Sequence, residues 1–172
     1  MTELESRLSF DRVVAIMNRV QERLNRTVAA LRGAGIPFAI AGGNAVATWV
    51  ATMDKDAIRQ TNDVDILVQR DDLPRIKAAM EAAGVHLLFA GEMISLKHIT
   101  PAPDLSERVV VADQDILKLE ALVRMKLNAN RDKDRMHLRD FIAVGLLDQS
   151  WVQRYPPELG TRLQHLFDTP GG

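Results

Sequence analysis

Two short apolar segments, each joined to chemically distinctive residues, constrain most strongly what this chain can fold into. The first runs into Gly42 and Gly43, and the second carries Asp63 and Asp65 at its beginning. Apolar runs of this length, bounded by glycine or polar residues, are typical of buried strands, whereas the longer apolar stretch between them favours a helix. The pattern predicts, in chain order, a strand at 37–41, a helix at 44–53 and a strand at 63–68.

Asp63 and Asp65 are two residues apart on the predicted second strand, so their side chains point to the same face. Two carboxylates at that separation repel each other unless a cation lies between them. Asp65 also interrupts an apolar strand, where a buried carboxylate needs a partner. Oxygen ligands suit Mg²⁺ or Mn²⁺, and Mg²⁺ completes its coordination with water and substrate phosphates. The pair is therefore predicted to bind one of these metal ions.

The residues around the two glycines favour an anion site. Gly42 and Gly43 allow the backbone to approach a phosphate closely, and the helix that follows presents free N–H groups. The side chain of Asn44 either donates to a phosphate or caps this helix, and the sequence leaves both roles open. Arg59, in the polar connection before Asp63, is suited to bidentate contacts with a phosphate.

Hydrophobic spacing predicts the remaining elements. The first helix has an apolar stripe made by Phe10, Val13, Val14, Met17, Leu24, Val28 and Leu31. Helices are predicted at 9–33, 72–83, 115–130 and 132–144 and from 157 onward, and strands at 85–90, 93–99 and 109–111. We predict a single α/β domain, a small mixed sheet flanked by helices with a helical C-terminal part. Its sections are an N-terminal helix at 1–35, an α/β core at 36–113 and the helical part at 114–172.

Composition excludes several classes of function. The formal net charge of −1 argues against tight non-specific binding to nucleic acid, although a local basic groove is compatible with it. With no cysteine, there is no disulfide, thiol catalysis or zinc–cysteine site. Residues 33–53 carry no charge, but a proline and several glycines divide them into strand, turn and helix, so no membrane span is expected. The acidic N-terminus has no apolar signal core, and a cytoplasmic location is expected.

The two glycines, the short helix and the sequence Arg59-Gln60-Thr61-Asn62-Asp63-Val64-Asp65 resemble the minimal nucleotidyltransferases of the DNA polymerase β superfamily. The positions of Arg59 and Thr61 are most similar to the abortive-infection toxin branch. The resemblance covers residues 37–140. It implies transfer of a nucleoside monophosphate from a Mg²⁺-bound NTP to a hydroxyl or phosphate of an acceptor.

The resemblance also assigns roles in the helical C-terminal part. It implies that Lys126 contacts the nucleotide phosphates and that a downstream aspartate assists the acceptor or the lysine. Asp134 is the first choice for this aspartate and Asp140 the second, because the spacing does not decide. Either Asp65 or Asp134 is then the acceptor of the hydroxyl proton, and His137 is a proton carrier or a hydrogen-bonding neighbour.

One departure from the superfamily keeps other functions open. Many members place a third carboxylate on the strand after the aspartate pair, and the predicted strand at 93–99 has none at its centre. A nucleotide-binding module without catalysis, or a toxin–antitoxin interaction protein that uses the charged helix at 132–144, is therefore an alternative. For an enzyme, the acceptor is an RNA end, a protein hydroxyl, a small molecule or another nucleotide. The long first helix is suited to a homodimer.

Overall fold

The computed structural model describes residues 3–81 and 84–170, with side chains from residue 18 onward. Four members of the predicted stripe, Phe10, Val13, Val14 and Met17, therefore lie outside the described side chains. The helices are α1 (Glu3–Gly33), α2 (Gly42–Ala51), α3 (Leu73–Ala79), α4 (Leu119–Ala129), α5 (Asp132–Ala143) and α6 (Pro157–Asp168). The strands are β1 (Phe38–Ile40), β2 (Val64–Val68), β3 (Val85–Phe89), β4 (Arg108–Val111) and β5 (Gln114–Leu117).

The five strands form one mixed sheet in the order β3-β2-β1-β5-β4. β1 is antiparallel to β2 and parallel to β5, whereas β2 is parallel to β3 and β4 is antiparallel to β5. Helices flank this sheet, and α4, α5 and α6 form a helical C-terminal part. The predicted α/β class with a mixed sheet is therefore confirmed.

The central strands are buried on both faces. All three residues of β1 are buried, and in β2 every residue except Asp65 is buried. A strand covered on both sides reads as a continuous apolar run. Asp65 is the exception to that run, which marks it as a residue retained for a reason other than packing.

The first two helices pack on this sheet through apolar side chains. On α1, Leu24 and Leu31 are buried as the stripe predicts, and the helix ends at Gly33. On α2, the partly buried Trp49 packs against the core, and its indole N–H donates to the carbonyl oxygen of Leu117 at 2.9 Å. Trp49 is thus a core residue and does not present its ring as a platform for a base. Within the described ranges, no helix is long and apolar enough to cross a lipid bilayer.

The predicted strand at 93–99 is wrong, because these residues form turns and bends. Gly91 has a φ of +73°, a left-handed conformation that turns the chain away from the sheet after β3. The amide N–H of His98 donates to the carbonyl oxygen of Ser95 at 3.0 Å, which closes a turn instead of extending a ladder. The fully exposed Leu96 shows that this apolar run is not part of the core.

The helix predicted at 115–130 begins too early, because its first residues form β5. Ala112 and Asp113 have φ values of +48° and +60°, which form a tight two-residue turn between β4 and β5. β5 then pairs with β1 through Ile116 and Ile40, and α4 begins only at Leu119. The sheet therefore extends to the end of β5.

Candidate active site

A cleft of about 720 Å³ lies where the carboxylate pair faces the helical C-terminal part. This volume is in the range of sites that hold a nucleotide-sized ligand. The turns at 93–99 form one of its walls, through side chains such as Ile94 and Lys97. The charged or polar side chains on which its chemistry depends are Asp63, Asp65, His86, Lys126, Arg131, Lys133 and Asp134. We call this space the carboxylate cleft.

The glycine pair packs directly against the segment that carries the aspartates. Gly42 has a φ of +57°, and a Cβ atom there would lie 1.8 Å from Oδ2 of Asp65. A Cβ atom on Gly43 would lie 2.6 Å from Cβ and Oγ1 of Thr61. Both contacts exclude any larger side chain, so the two glycines and the Thr-x-Asp-x-Asp sequence are parts of one packed unit.

Each aspartate of the pair has a basic partner. Asp63 and Asp65 have side chains that are 40% and 20% exposed. Oδ2 of Asp63 lies 3.2 Å from Nζ of Lys133, the second residue of α5. Oδ1 of Asp65 lies 3.2 Å from Nδ1 of His86. Lys133 thus offsets part of the charge of the pair, and His86 makes a hydrogen bond with Asp65.

His86 was not among the residues predicted from the sequence. It lies on β3 directly opposite Asp65 in the parallel register between β2 and β3. β3 is the strand that follows the aspartate pair and adjoins it in the sheet. β3 carries a histidine and no carboxylate, so it supplies no third acidic residue beside the pair.

Lys126 and Asp134 form a buried ion pair on the helical side of the carboxylate cleft. Their side chains are 5% and 1% exposed, and Nζ of Lys126 lies 2.9 Å from Oδ1 of Asp134. Nε of Arg131 donates to Oδ2 of the same carboxylate at 2.7 Å. Burial alone would raise the pKa of Asp134, but the hydrogen bonds and charges of Arg131 and Lys126 hold that pKa below its ordinary value.

The same burial acts in the opposite direction on the lysine. It lowers the pKa of Lys126, and the negative charges of Asp134 and Asp65 offset part of this effect. Because Asp134 shares its two oxygens between Lys126 and Arg131, both basic groups are held beside the cleft. Asp134 thus contacts the lysine, the geometry that one of the two roles implied by the resemblance requires.

Arg59 and Asp140 pair with each other and do not line the carboxylate cleft. Nε of Arg59 donates to both oxygens of Asp140, at 2.9 and 2.8 Å. His137 is also absent from the cleft wall; burial and the charge of Lys126 lower its pKa to about 4, so it is neutral at pH 7. Of the two candidate aspartates, the structure brings only Asp134 to the cleft.

Asn44 does not have the capping role that was one of the two considered for it. It lies inside α2, which begins at Gly42 after Ala41, so it does not cap the helix. Its amide nitrogen donates to the backbone carbonyl oxygen of Asp63 at 2.8 Å. Asn44 therefore holds the backbone of the aspartate segment in place, and Gly42 is the member of the glycine segment that lines the cleft.

A comparison with protein families supports the interpretation of this geometry. Residues 9–136, which are 128 of the 172 residues, match a family described as uncharacterised nucleotidyltransferases. The chain belongs to this family. The match includes every charged residue named above for the carboxylate cleft, and it does not assign the chain to the abortive-infection branch. No significant match is found among curated proteins or solved structures.

The donor set of this nucleotidyltransferase fits Mg²⁺ or Mn²⁺ bound together with a nucleotide. Among the described residues, no group of three or more histidine, aspartate and glutamate side chains could hold a metal ion by itself. Mg²⁺ requires only one or two protein carboxylates when substrate phosphates complete its octahedral shell. Asp63 and Asp65 supply these carboxylates, and the missing Cβ of Gly42 is what allows the carboxylate of Asp65 to occupy its position.

Proposed function

We propose that the carboxylate cleft binds an NTP with Mg²⁺ or Mn²⁺ and transfers its nucleoside monophosphate to an acceptor hydroxyl. The observation that carries this proposal is that two aspartates and several basic side chains meet in one cleft of nucleotide size. Asp63, Asp65 and Asp134 contribute three negative charges, against four positive charges on Lys97, Lys126, Arg131 and Lys133. Because the positive and negative charges of the cleft nearly cancel, the protein alone cannot neutralise a triphosphate. A divalent cation must bind together with it.

Asp63 and Asp65 would hold the metal ion against the α- and β-phosphates. The bound ion would supply Lewis-acid polarisation of the phosphoryl oxygens. Lys133 contacts one oxygen of Asp63, and a metal ion on the same carboxylate would weaken this contact and make Nζ available to a phosphate. Lys126 and Arg131 offset the charge that accumulates on the leaving pyrophosphate. Gly42 permits close approach of the phosphates to the start of α2.

The proton of the acceptor hydroxyl needs a base inside the cleft. Asp134 is a poor base because it already accepts hydrogen bonds from Lys126 and Arg131. Asp65 can only accept, so Nδ1 of His86 carries the hydrogen of their contact and Nε2 is left with a free lone pair. We assign the proton to Nε2 of His86, with Asp65 orienting the ring.

The proposed reaction is a nucleotidyl transfer in a single displacement at the α-phosphorus. The acceptor oxygen forms a bond to the α-phosphorus, and the bond from that phosphorus to the oxygen of the β-phosphate breaks. Pyrophosphate leaves with the electron pair, and the hydroxyl proton moves to His86. Since most of the rate enhancement in such reactions comes from positioning and charge stabilisation, no covalent protein intermediate is required.

Isothermal titration of each NTP, with and without Mg²⁺, tests the binding part of the proposal. Wild-type protein is expected to bind an NTP only with the metal, and Asp65→Asn is expected to bind at least tenfold more weakly, about 1.4 kcal/mol. Asp71→Asn is the matched control, because Asp71 is exposed and does not line the cleft. Equal binding by wild type and Asp65→Asn would place the nucleotide elsewhere.

The histidine beside Asp65 also supports a second candidate, a nucleotide-binding module without catalysis. Because β3 carries a histidine and no carboxylate, two carboxylates are left for metal binding. Pyrophosphate release in the presence of RNA, protein and small-molecule acceptors distinguishes the two. NTP binding without pyrophosphate from any acceptor would favour the binding module.

A further inference from the structure

A second depression, separate from the carboxylate cleft, lies between α5 and α6. Its volume is about 730 Å³. Four basic side chains line it, and we call it the basic pocket after these residues: Arg135, Arg139, Arg162 and His165. Three of the four lie beyond residue 136, where the family match ends, so the pocket is largely a feature of the C-terminal part of this chain.

The positive charge of the basic pocket is held in place but is mostly not neutralised. Nη1 of Arg162 donates to the carbonyl oxygens of Leu127 and Asn128, at 2.7 and 3.1 Å. Nη2 of Arg139 donates to the carbonyl oxygen of Thr169 at 3.2 Å. Uncharged carbonyl groups fix the orientation of a guanidinium group without cancelling its charge. Such preorganised arginine is the residue best suited to bind a phosphate.

Arg135 is the arginine of the pocket that has an acidic partner. Its guanidinium group pairs with Asp132 and also donates to the carbonyl oxygen of Asn130. Asp132 is the one acidic side chain among the residues that line the pocket, and it is 95% exposed. An ion pair this exposed gives little neutralisation because water screens it. The lining of the pocket thus keeps a net positive charge.

Arg139 has a buried donor that no described residue satisfies. Its Nε atom is inaccessible to solvent and lacks a hydrogen-bond acceptor within the described part of the chain. An unsatisfied buried donor is rare, and leaving one without an acceptor is unfavourable. Because this atom is closed to solvent, an oxyanion in the pocket would satisfy it only after a shift of the Arg139 side chain.

The basic pocket and the carboxylate cleft lie on two sides of the same turn between α4 and α5. Asn130 and Asp132 line the pocket, whereas their neighbour Arg131 lines the cleft. Arg162 is also close enough for its charge to contribute to lowering the pKa of His98 in the wall of the cleft, an effect due mainly to burial. An extended polyanion therefore has a short path from one site to the other.

We propose that the basic pocket binds the phosphate backbone of a single-stranded nucleic acid whose terminal hydroxyl enters the carboxylate cleft. A nucleic acid carries a phosphate at every nucleotide, so one phosphate fills the pocket while the following nucleotides cross the turn. Its role as the acceptor, which would take the nucleoside monophosphate on its terminal oxygen, rests on the proposed function. Binding of the strand itself does not.

Fluorescence anisotropy with labelled 15-nucleotide RNA and DNA of the same sequence, without NTP, tests the proposal. Thr161→Glu adds a negative charge to the lining of the pocket at an exposed position of α6. We expect it to weaken oligonucleotide binding at least tenfold. Thr161→Gln, which adds a similar volume without charge, is expected to change the affinity less than twofold.

Arg139→Gln provides a second readout, the salt dependence of oligonucleotide binding. A change in the shape of the pocket without loss of charge would not alter this dependence. Removal of one phosphate contact is expected to reduce the slope of log K against log salt by about 0.7 for a single strand. His165→Glu, at another exposed position of the lining, repeats the charge test if Thr161→Glu does not fold. Circular dichroism melting identifies variants that are folded.

The proposal is overturned if folded Thr161→Glu and His165→Glu bind oligonucleotides as wild type does. It is also overturned if inorganic phosphate or ATP binds in the pocket but oligonucleotides do not, because the ligand is then a small anion. Calorimetry with NTP on the same samples separates this failure from that of the proposed function. Oligonucleotide binding that persists in protein unable to bind any NTP would remove only the acceptor role.

Discussion

At the scale of single residues, Gly42 packs directly against the carboxylate of Asp65. Alanine at this position would have to adopt the left-handed conformation, φ +57°, and its Cβ atom would clash with Oδ2 of Asp65. We expect Gly42→Ala to lower the free energy of unfolding by roughly 1–3 kcal/mol and to abolish metal-dependent NTP binding. Urea unfolding and calorimetry measure the two effects.

Gly35→Ala is the matched control for this prediction. Gly35 also has a positive φ, +61°, but a Cβ atom there would meet nothing within 4 Å. The control therefore carries the conformational cost without the clash, and it is expected to keep wild-type NTP binding. If both variants lose NTP binding to the same extent, the contact between Gly42 and Asp65 is not what matters.

His137 is a second residue whose effect can be measured. We expect it to make the free energy of unfolding depend on pH. Its pKa is lowered from 6.5 to about 4 in the folded chain, chiefly by burial. Between these two values the unfolded chain binds a proton that the folded chain does not, so stability is lost as the pH falls through this window. We expect the contribution to reach about 3 kcal/mol at pH 4.

His137→Leu should flatten the stability profile between pH 4 and 6.5, as measured by urea unfolding at several pH values. Leucine also removes Nδ1 of His137, a buried atom without a hydrogen-bond partner in the described chain. His165→Gln is the control, because His165 is exposed and its replacement is expected to leave the profile unchanged. Parallel profiles for wild type and His137→Leu would contradict the prediction.

At the scale of elements, the turn between β4 and β5 places an alanine at a backbone position that favours glycine. Ala112 has a φ of +48°, a conformation that glycine adopts without strain. We expect Ala112→Gly to raise the free energy of unfolding by about 0.5–1 kcal/mol, since relief of strain exceeds the entropy that glycine adds. Ala78→Gly, an exposed position of α3, should lower it by about the same amount. A loss of stability in both variants would contradict this account.

This turn also explains why part of the sheet could not be predicted. Ile116 in β5 continues the three-and-four spacing of Leu119 and Leu122 in α4, so the strand reads as the first turn of the helix. By contrast, β1, α2 and β2 could be predicted because glycine and aspartate residues mark their ends. Local pattern identifies an element only where its boundary carries its own signal.

The candidate site shows the same limit at longer range. The aspartate pair could be recognised from its own spacing, and the resemblance to a known family added Lys126 and Asp134 to the same site. The place of His86 depends on the parallel register between β2 and β3, which no local pattern encodes. The pairing of Arg59 with Asp140 is likewise a tertiary contact over 81 positions of the chain, and neither residue lines the carboxylate cleft.

At the scale of the whole molecule, the sheet supplies carboxylates and the helical C-terminal part supplies cations. The contact between Asp63 on the sheet side and Lys133 on α5 joins the two parts across the cleft at 3.2 Å. Because the charge of the lysine lies beside a carboxylate that would bind the metal ion, it opposes metal binding when no nucleotide is present. Nucleotide phosphates give Lys133 a new partner, so metal and NTP should bind cooperatively.

Lys133→Met tests this coupling, because methionine keeps much of the side-chain volume and removes the charge. We expect the variant to bind Mn²⁺ without nucleotide roughly threefold to tenfold more tightly, a gain of about 0.7–1.4 kcal/mol, and to bind NTP more weakly. Titration followed by the electron paramagnetic resonance of free Mn²⁺ measures the first effect, and calorimetry measures the second. Lys77→Met, on the exposed surface of α3, is the control. If Lys133→Met leaves Mn²⁺ affinity unchanged and still weakens NTP binding, the lysine contacts phosphate without competing for Asp63, and the two parts of the cleft bind their ligands independently.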